Sequence, residues 1–470
     1  MSRSAATPSS RADHSATAAP AARPRQHGPT VTPLAAWLAV LLPALPVLLL
    51  RVIPDIGVMT TSAATALRSA AVHAGMFGYV AFATSLALGA RVPVIERLFA
   101  GLDRMYRFHR RLGGAVAGLL VAHIGLMMAA VAAEQERIGA LLVPDPGLRV
   151  FPGVVGFGAL VVVLALTMVT HLRHETFLRV HRVLGVVFAL AALHALRVPA
   201  FQTQSPWLNG YLLAVTAAGL AGWGYRSGLG RTLVPRRFYE VAQVRPLHPT
   251  ITELTLTPLD EPLEFSPGQL VFVGLDDPAV GRELHPFSIT SEPGERTLRL
   301  VIKAAGDFTT GLRAATPGSL CKVEGPYGSF WRAGASAARQ VWIAGGIGVT
   351  PFLSMARSLP DEVGAIDLYY CTEDAEAAVL IDELYAVADR HPTVRVIPVP
   401  ADTMGFLSAD DVRAASGDLS RTSIFLCGPA QMIDALTVQF AALGVPDERI
   451  HYEDFRLRGR AAAPTTGPAH

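Results

Sequence analysis

Apolar and polar positions divide this chain into two halves with different spacing. Between 31 and 227 six long apolar segments recur, at roughly 32–53, 69–90, 108–133, 150–170, 178–198 and 207–226. Each is long enough to cross a bilayer core as a helix, which takes about 20 residues. After about 236 the apolar runs shorten. "FYEVAQVRPL", "ITELTLTPL", "QLVFVGL" and "TLRLVIKAA" are β-rich and separated by Pro and Gly, which predicts an antiparallel β-barrel over 236–335. From 340 to 455 short strand-like runs such as "QVWIAGG", "AIDLYYC" and "TSIFLCG" alternate with helical ones. That alternation predicts a βαβ series on a parallel sheet. Residues 1–30, rich in Ala, Ser, Pro and Arg, read as a disordered N-terminal tail, and 456–470 as a C-terminal one. The expected architecture is a six-helix transmembrane bundle, then an antiparallel barrel, then an α/β nucleotide-binding domain.

Composition supports a mixed membrane and water-soluble chain: 51% of the 470 residues are hydrophobic and only 17% charged. Nothing in it points to a nucleic-acid partner, and oligomeric state is not legible. Three cysteines, Cys321, Cys371 and Cys427, all fall in the second half without CxxC spacing. That argues against a disulfide framework and against a zinc or iron–sulfur site, and it fits a reducing compartment.

Charge sets the expected orientation. The connection between the second and third apolar segments carries Arg91, Arg97, Arg104, Arg107, Arg110 and Arg111. The next-but-one connection carries Arg173, Arg179 and Arg182, and Arg226, Arg231, Arg236 and Arg237 follow the sixth segment. The alternate connections hold Asp55, Glu134, Glu136 and Asp145. The positive-inside rule then places both termini and the whole second half in the cytoplasm, with the chain in the plasma membrane.

Four histidines stand out in the apolar half. His109 and His123 lie fourteen residues apart in the third segment, and His181 and His194 thirteen apart in the fifth. At about 1.5 Å rise per residue each spacing separates two levels by roughly 20 Å. Both segments run in the same direction, so His109 matches His181 in depth and His123 matches His194. One alternative is interhelical hydrogen bonding. The preferred reading is two b-type haems, each with two axial imidazoles, because four polar side chains in register at membrane depth demand a reason. Ideal winding brings His123 over His109 but leaves His194 well off the face of His181. Phe188, between the two levels, could bridge the haems electronically, but the preferred reading is a lipid-facing or packing residue. His73, in the second segment, has no depth-matched partner.

In the second half, "AGGIGVTPF" (Ala344–Phe352) joins a strand to a helix. It is either a structural turn or a cradle for a phosphate at a helix N-terminus. "LCGP" (Leu426–Pro429) ends a later strand at the same sheet edge. "LHPFSIT" sets Phe287 beside Ser288, an aromatic suited to stacking on a flat ring and a hydroxyl suited to its polar edge. "KAAGDFTTGL" and "EGPYGSF" follow.

In this order the motifs resemble the ferredoxin–NADP reductase superfamily. The "HPFS" form and the histidine spacing resemble its ferric reductase and NADPH oxidase branch, over about 32–455. The resemblance implies FAD against His285, Pro286, Phe287 and Ser288, with Lys303 facing its pyrophosphate and Gly306, Asp307, Phe308 and Thr309 nearby. It implies NAD(P)H held by Gly345, Gly346, Gly348, Thr350 and Pro351, with Cys427, Gly428 and Pro429 near the nicotinamide. Phe455 matches the aromatic that covers the flavin, so Cys427, Phe455 and Ser288 become the expected catalytic residues. "YCTEDAEAA" places Glu373 and Asp374, with no cation, where NADPH-preferring relatives hold a 2′-phosphate. An acid there suits a ribose hydroxyl and leans the reading to NADH. The expected function is transfer of electrons from cytoplasmic NAD(P)H through FAD and two haems to an external ferric chelate or oxygen. The alternatives are a membrane subunit delivering electrons to an external partner protein, and a membrane-anchored flavin reductase without haem.

Overall fold

The computed structural model describes residues 38, 42–99, 102–134, 150–169, 174–198, 205–228, 234–330 and 338–454. The expected terminal tails and Phe455 therefore lie outside the described residues.

The first half is helical: α1 (Leu42–Met59), α2 (Ala63–Gly89), α3 (Pro93–Leu98), α4 (Leu102–Ala133), α5 (Phe151–Val169), α6 (His174–Arg182), α7 (Leu184–Arg197) and α8 (Pro206–Trp223). Hydroxyl caps start two of them. Ser62 Oγ accepts the Thr65 N–H of α2 at 3.1 Å, and Ser205 Oγ accepts the Leu208 N–H of α8 at 3.3 Å. Four helical stretches among the described residues are long and apolar enough to cross a membrane: Leu42–Met59, Ala63–Gly89, Arg104–Ala133 and Thr176–Arg197. That is fewer than the six expected. The fourth expected segment gives a shorter apolar helix, Phe151–Thr167. In the sixth, Pro206, Trp207, Asn209 and several glycines dilute the apolar character of α8.

α2 packs against both α4 and α8, and α5 against α7. Met76, Tyr79, Val80, Phe188, Leu208 and Leu212 are buried in their shared core. Phe188 is thus a packing residue and does not face lipid: it stacks on Tyr79 (ring centroids 5.0 Å) and meets Phe82 edge-on at 5.3 Å.

The expected barrel is an open, curled antiparallel sheet. Strands β1 (Arg237–His248), β2 (Ile251–Pro258), β3 (Leu270–Leu275), β4 (His285–Ser288), β5 (Leu298–Lys303) and β6 (Leu320–Tyr327) lie in the order β4-β3-β6-β1-β2-β5. The edges β4 and β5 form no ladder. β4 is four residues long, and Pro286 within it has no N–H to donate. Just past β4 the Thr290 N–H reaches the Arg299 carbonyl at 2.9 Å. Leu254, Val271, Leu275, Leu300 and Val323 fill the inner face. A short helix, α9 (Asp307–Gly311), follows β5.

The expected parallel sheet is present. β7 (Arg339–Gly345), β8 (Ala365–Thr372), β9 (Val394–Pro400), β10 (Ser423–Gly428) and β11 (Ile450–Asp454) pair in parallel in the order β11-β10-β7-β8-β9. Helices α10 (Val349–Arg357), α11 (Ile381–Arg390), α12 (Ala401–Met404), α13 (Ala409–Ser416) and α14 (Ala430–Ala442) connect them. β10 is buried along its whole length and β7 from Gln340 onward, as strands covered on both faces must be. The chain winds one way from β7 to β9, then crosses to β10 on the other side of β7. The C-terminal ends of β7 and β10 therefore flank a topological switch point.

Candidate functional site

The imidazoles pair as their depths require. His109 of α4 and His181 of α6 have ring centroids 6.1 Å apart, and His123 of α4 and His194 of α7 are 6.5 Å apart. Two imidazoles on opposite sides of one metal, each nitrogen about 2.05 Å from it, put their centroids about 6.4 Å apart. Two hydrogen bonds fix tautomers. His123 Nδ1 donates to the Ala71 carbonyl at 2.7 Å, and His109 Nδ1 lies 3.1 Å from both the carbonyl and the hydroxyl of Ser85. A carbonyl only accepts, so Nδ1 carries the proton and the Nε2 lone pair points away from the supporting helix, the state a metal ligand needs.

Glycines make room for two of the rings. A Cβ on Gly75 would lie 2.8 Å from His123 Nδ1, and one on Gly153 would lie 2.8 Å from His194 Cγ. No three His, Cys, Asp or Glu side chains converge on a metal-sized point among the described residues. A haem iron asks the protein for only one or two axial ligands, the porphyrin supplying the rest.

The angular mismatch in the fifth segment has a physical reason. The helix is interrupted at Val183, between α6 and α7. There Val183 N–H bonds Val180 O at 3.1 Å and Val186 N–H bonds Val183 O at 2.9 Å, both i→i−3. Such a turn winds at about 120° per residue instead of 100°, which carries His194 toward the face of His181.

On the curled sheet, Phe287 and Ser288 end β4, buried, and Phe287 is stacked near Phe308 at 6.2 Å. His285 packs on Phe308 at 4.1 Å. Ser288 Oγ and Thr290 Oγ1 are buried and have no hydrogen-bond partner among the described residues. An orphaned buried hydroxyl is costly, and a flavin edge would satisfy it. Thr309 Oγ1 accepts from the N–H groups of Ala305 and Gly306 and so shapes the turn after Lys303.

On the parallel sheet the two glycine motifs meet. A Cβ on Gly348 would lie 2.1 Å from the Cys427 carbonyl, one on Gly345 2.6 Å from Pro429, and one on Gly428 2.9 Å from Gly345 Cα. The absence of side chains lets the ends of β7 and β10 close on each other at the switch point. Thr350 and Pro351 open α10 and are buried, and the Thr350 hydroxyl donates to the Ile347 carbonyl at 3.0 Å. Cys427 is fully buried at the end of β10. Cys371, at the end of β8, has its thiol pushed up to about 12 by burial, so it stays protonated at neutral pH.

One continuous cavity of about 4090 Å³ joins these regions. Its lining includes His109 and His181, then His285, Pro286, Phe287, Lys303, Gly306, Asp307, Phe308 and Thr309, then Gly345, Gly346, Glu373, Gly428 and Pro429. His123 and His194 are not part of its lining, nor are Ser288, Gly348, Thr350, Pro351 and Cys427. Glu373 lies 3.7 Å from Lys303, so the structure brings the expected flavin-side cation beside the expected nucleotide-side acid.

Some residues at the site escaped sequence reasoning. Phe406 lines the cavity while 94% exposed, and only that exposure marks it. His73 bonds no second histidine among the described residues but meets Asp55 Oδ2 at 3.0 Å, itself paired with Arg51 at 2.8 Å. Charged contacts also tie the two sheets together. Arg299 of β5 holds Glu383 of α11 through two bonds of 2.6 and 2.7 Å and also meets Glu253 of β2. Burial raises the Glu383 carboxyl, but the Arg299 and Arg357 guanidiniums outweigh it and hold the group below its usual range.

Three family models match the chain in order: ferric reductase like transmembrane component over residues 74–192, FAD-binding domain over 238–331, and oxidoreductase NAD-binding domain over 342–437. The chain has the ferric reductase/NADPH oxidase-like architecture, a membrane component followed by FAD-binding and NAD-binding oxidoreductase modules. Among curated proteins it is 26% identical over 262 residues to a flavohemoprotein of Rhizobium meliloti (strain 1021), covering 51% of this chain and 62% of that one. It is 28% identical over 237 residues to the propane 2-monooxygenase reductase component of Gordonia sp. (strain TY-5), covering 46% and 66%. It therefore spans just under two thirds of these relatives. The flavohem-like FAD/NAD binding domain of nitric oxide dioxygenase from Vibrio cholerae O1 biovar El Tor, a solved structure, matches at 20% identity and a TM-score of 0.40. That match covers 47% of this chain and 98% of that one.

Proposed function

We propose that this protein is a transmembrane oxidoreductase of the plasma membrane. It takes reducing equivalents from NAD(P)H on the cytoplasmic side and delivers them to an acceptor on the outer face, a ferric chelate or oxygen. The observation that carries this reading is the single cavity running from the inner imidazole pair past β4 to the switch point.

FAD, when bound, would accept a hydride and release single electrons, and two b-type haems, when bound, would supply one-electron carriers across the apolar segment. The chain's own residues prepare for each. Ser288 Oγ and Thr290 Oγ1 are buried hydroxyls near Phe287 without partners among the described residues, suited to the polar edge of a flavin. Lys303 would neutralise pyrophosphate charge. The glycines of β7 and β10 let backbone N–H groups approach the nucleotide, with the α10 N-terminus behind them. His109 with His181 would hold one haem, and His123 with His194 the other. Outward transfer of one electron gains about 2.3 kcal/mol per 100 mV of inside-negative potential.

NADH fits better than NADPH. Glu373 faces the cavity rim, the Asp402 N–H bonds the Glu373 carbonyl at 3.0 Å, and Asp374 and Asp402 add negative charge where a 2′-phosphate would need a cation.

Acceptor-dependent oxidation of NADH and NADPH by the purified full-length protein, with ferric citrate or oxygen, tests the proposal, alongside a visible spectrum. A b-type Soret band and NADH oxidation coupled to one of these acceptors are expected. Rapid flavin reduction without a Soret band would reduce the chain to a membrane-anchored flavin reductase. Turnover only with a co-purifying outer protein would make it an electron-delivery subunit.

A further inference from the structure

Contacts from two stretches of the membrane segment, and from the connection to β1, converge on one strip of the curled sheet, Glu324–Gly328. The Glu324 carboxylate is fully buried. Arg226 Nη1, on the turn that ends α8, donates to its Oε1 at 2.6 Å, and Arg236 Nε approaches Oε2 at 3.4 Å. The Tyr327 hydroxyl donates to Oε1 at 3.0 Å. Four residues on, the Gly328 N–H donates to Glu96 Oε1 of α3 at 2.7 Å, and Glu96 is itself buried. Arg91, from the same connection as Glu96, lays its guanidinium over Phe272 of β3 at 4.5 Å and over Tyr106 of α4 at 5.4 Å. Phe272 in turn meets Tyr327 edge-on at 5.5 Å. Arg91 is the only non-glycine residue with positive φ (56°) among the described residues, a strained conformation that persists only where the surroundings impose it.

A carboxylate this far from water survives because two guanidiniums and a hydroxyl face it, and removing its charge strands the guanidiniums. Arg226 and Arg236 bracket the connection from the last membrane helix to β1. Glu324 therefore closes that connection onto the sheet. The register carries the constraint further: Phe272 is opposite Glu324 on one side and opposite Pro286 on the other. Two ladder steps, about 10 Å, thus join the docking strip to the flavin-side strand β4.

We propose that Glu324 is a positioning residue. It staples the curled sheet to the cytoplasmic ends of the membrane helices and sets the gap between β4 and the His109–His181 pair. The proposal deepens the transmembrane reading above and rests on it.

The test uses full-length protein in sealed vesicles, soluble modules outward and an impermeant acceptor trapped inside, and the Glu324→Gln variant, with two readouts. The first is hydrogen exchange at the Gly328 amide, expected to speed up by at least about tenfold as the strip loosens. The second compares NADH-driven reduction of ferricyanide at the soluble modules with delivery to an acceptor on the opposite face. The first rate is expected to stay within about twofold, while the second falls about tenfold or more, because small misplacements cost large factors. Glu324→Asp, which keeps the charge, is expected to recover most of the delivery. Glu96→Gln, which leaves Glu324 intact, is expected to give the same split at smaller size and serves if Glu324→Gln does not fold. Unchanged exchange, or equal losses in both rates, would overturn the proposal. If the unmodified protein delivers nothing across the membrane, the transmembrane reading fails instead, and exchange at Gly328 still judges the staple.

Discussion

The membrane segment and the soluble modules hold their functional groups by opposite means. In the nucleotide module, backbone approaches backbone: Gly345, Gly348 and Gly428 exist so that two strand ends can touch. In the membrane segment the side chain does the work, and backbone supports it. Ala71 and Ser85 lend carbonyls to His123 and His109, and Gly75 and Gly153 lend space to His123 and His194. A phosphate is recognised by a row of N–H groups, so the soluble site is built of small residues in fixed order. The metals proposed for the membrane site would need one aimed lone pair from each side, and that site offers a few aimed rings.

The comparison can be broken from either side, and the largest effect is expected in the nucleotide module. Gly348→Ala would drive a Cβ to 2.1 Å from the Cys427 carbonyl, backbone that cannot yield. NADH binding by titration calorimetry is expected to weaken by at least about a hundredfold, or the module to lose stability by about 3 kcal/mol. Gly153→Ala is expected to be milder, since the His194 ring at 2.8 Å can turn aside. It should disturb the outer imidazole pair alone, read as a changed low-spin signal in electron paramagnetic resonance with NADH affinity intact, at a stability cost of about 1–3 kcal/mol. Ser288→Ala removes a buried hydroxyl that has no hydrogen-bond partner among the described residues. The apoprotein is expected to keep its melting temperature, while FAD affinity falls by about tenfold, the worth of one hydrogen bond to a buried edge.

The smallest effect is one of pH. His451 on β11 is pushed down to about 4 by burial, with the Arg104 charge adding to it, and its ring packs on Phe425 at 4.9 Å. The folded state therefore binds its proton less readily than the unfolded chain. Stability from this group is full above about pH 6.5 and is lost as pH falls toward 4. His451→Gln is expected to flatten that limb of a melting-temperature profile, and an unchanged limb would assign it to other groups.

Much of this was legible in the chain because it is local. Six apolar runs, the glycine turns and the spacing of four histidines are properties of neighbouring residues. The open sheet was not, since it depends on Pro286 falling in a four-residue strand at a closing edge. The break at Val183 has only Gly185, two residues on, to announce it, so the angular mismatch of His194 could be seen from sequence but not its cure. Phe188 became a packing residue only through Tyr79 and Phe82, more than a hundred positions away. Glu324 was visible only as the first residue of "EGPYGSF", because its partners Arg226 and Arg236 stand about 90 to 100 positions earlier in the chain.

The central claim is passage of electrons across the membrane through the outer imidazole pair. Its most direct test is full-length protein in sealed vesicles with the soluble modules outward, NADH added outside and an impermeant ferric chelate trapped inside. The account expects NADH-dependent reduction of the trapped iron, abolished in His123→Leu while flavin reduction by NADH continues. Reduction of an external acceptor alone, with the trapped iron untouched, would contradict it.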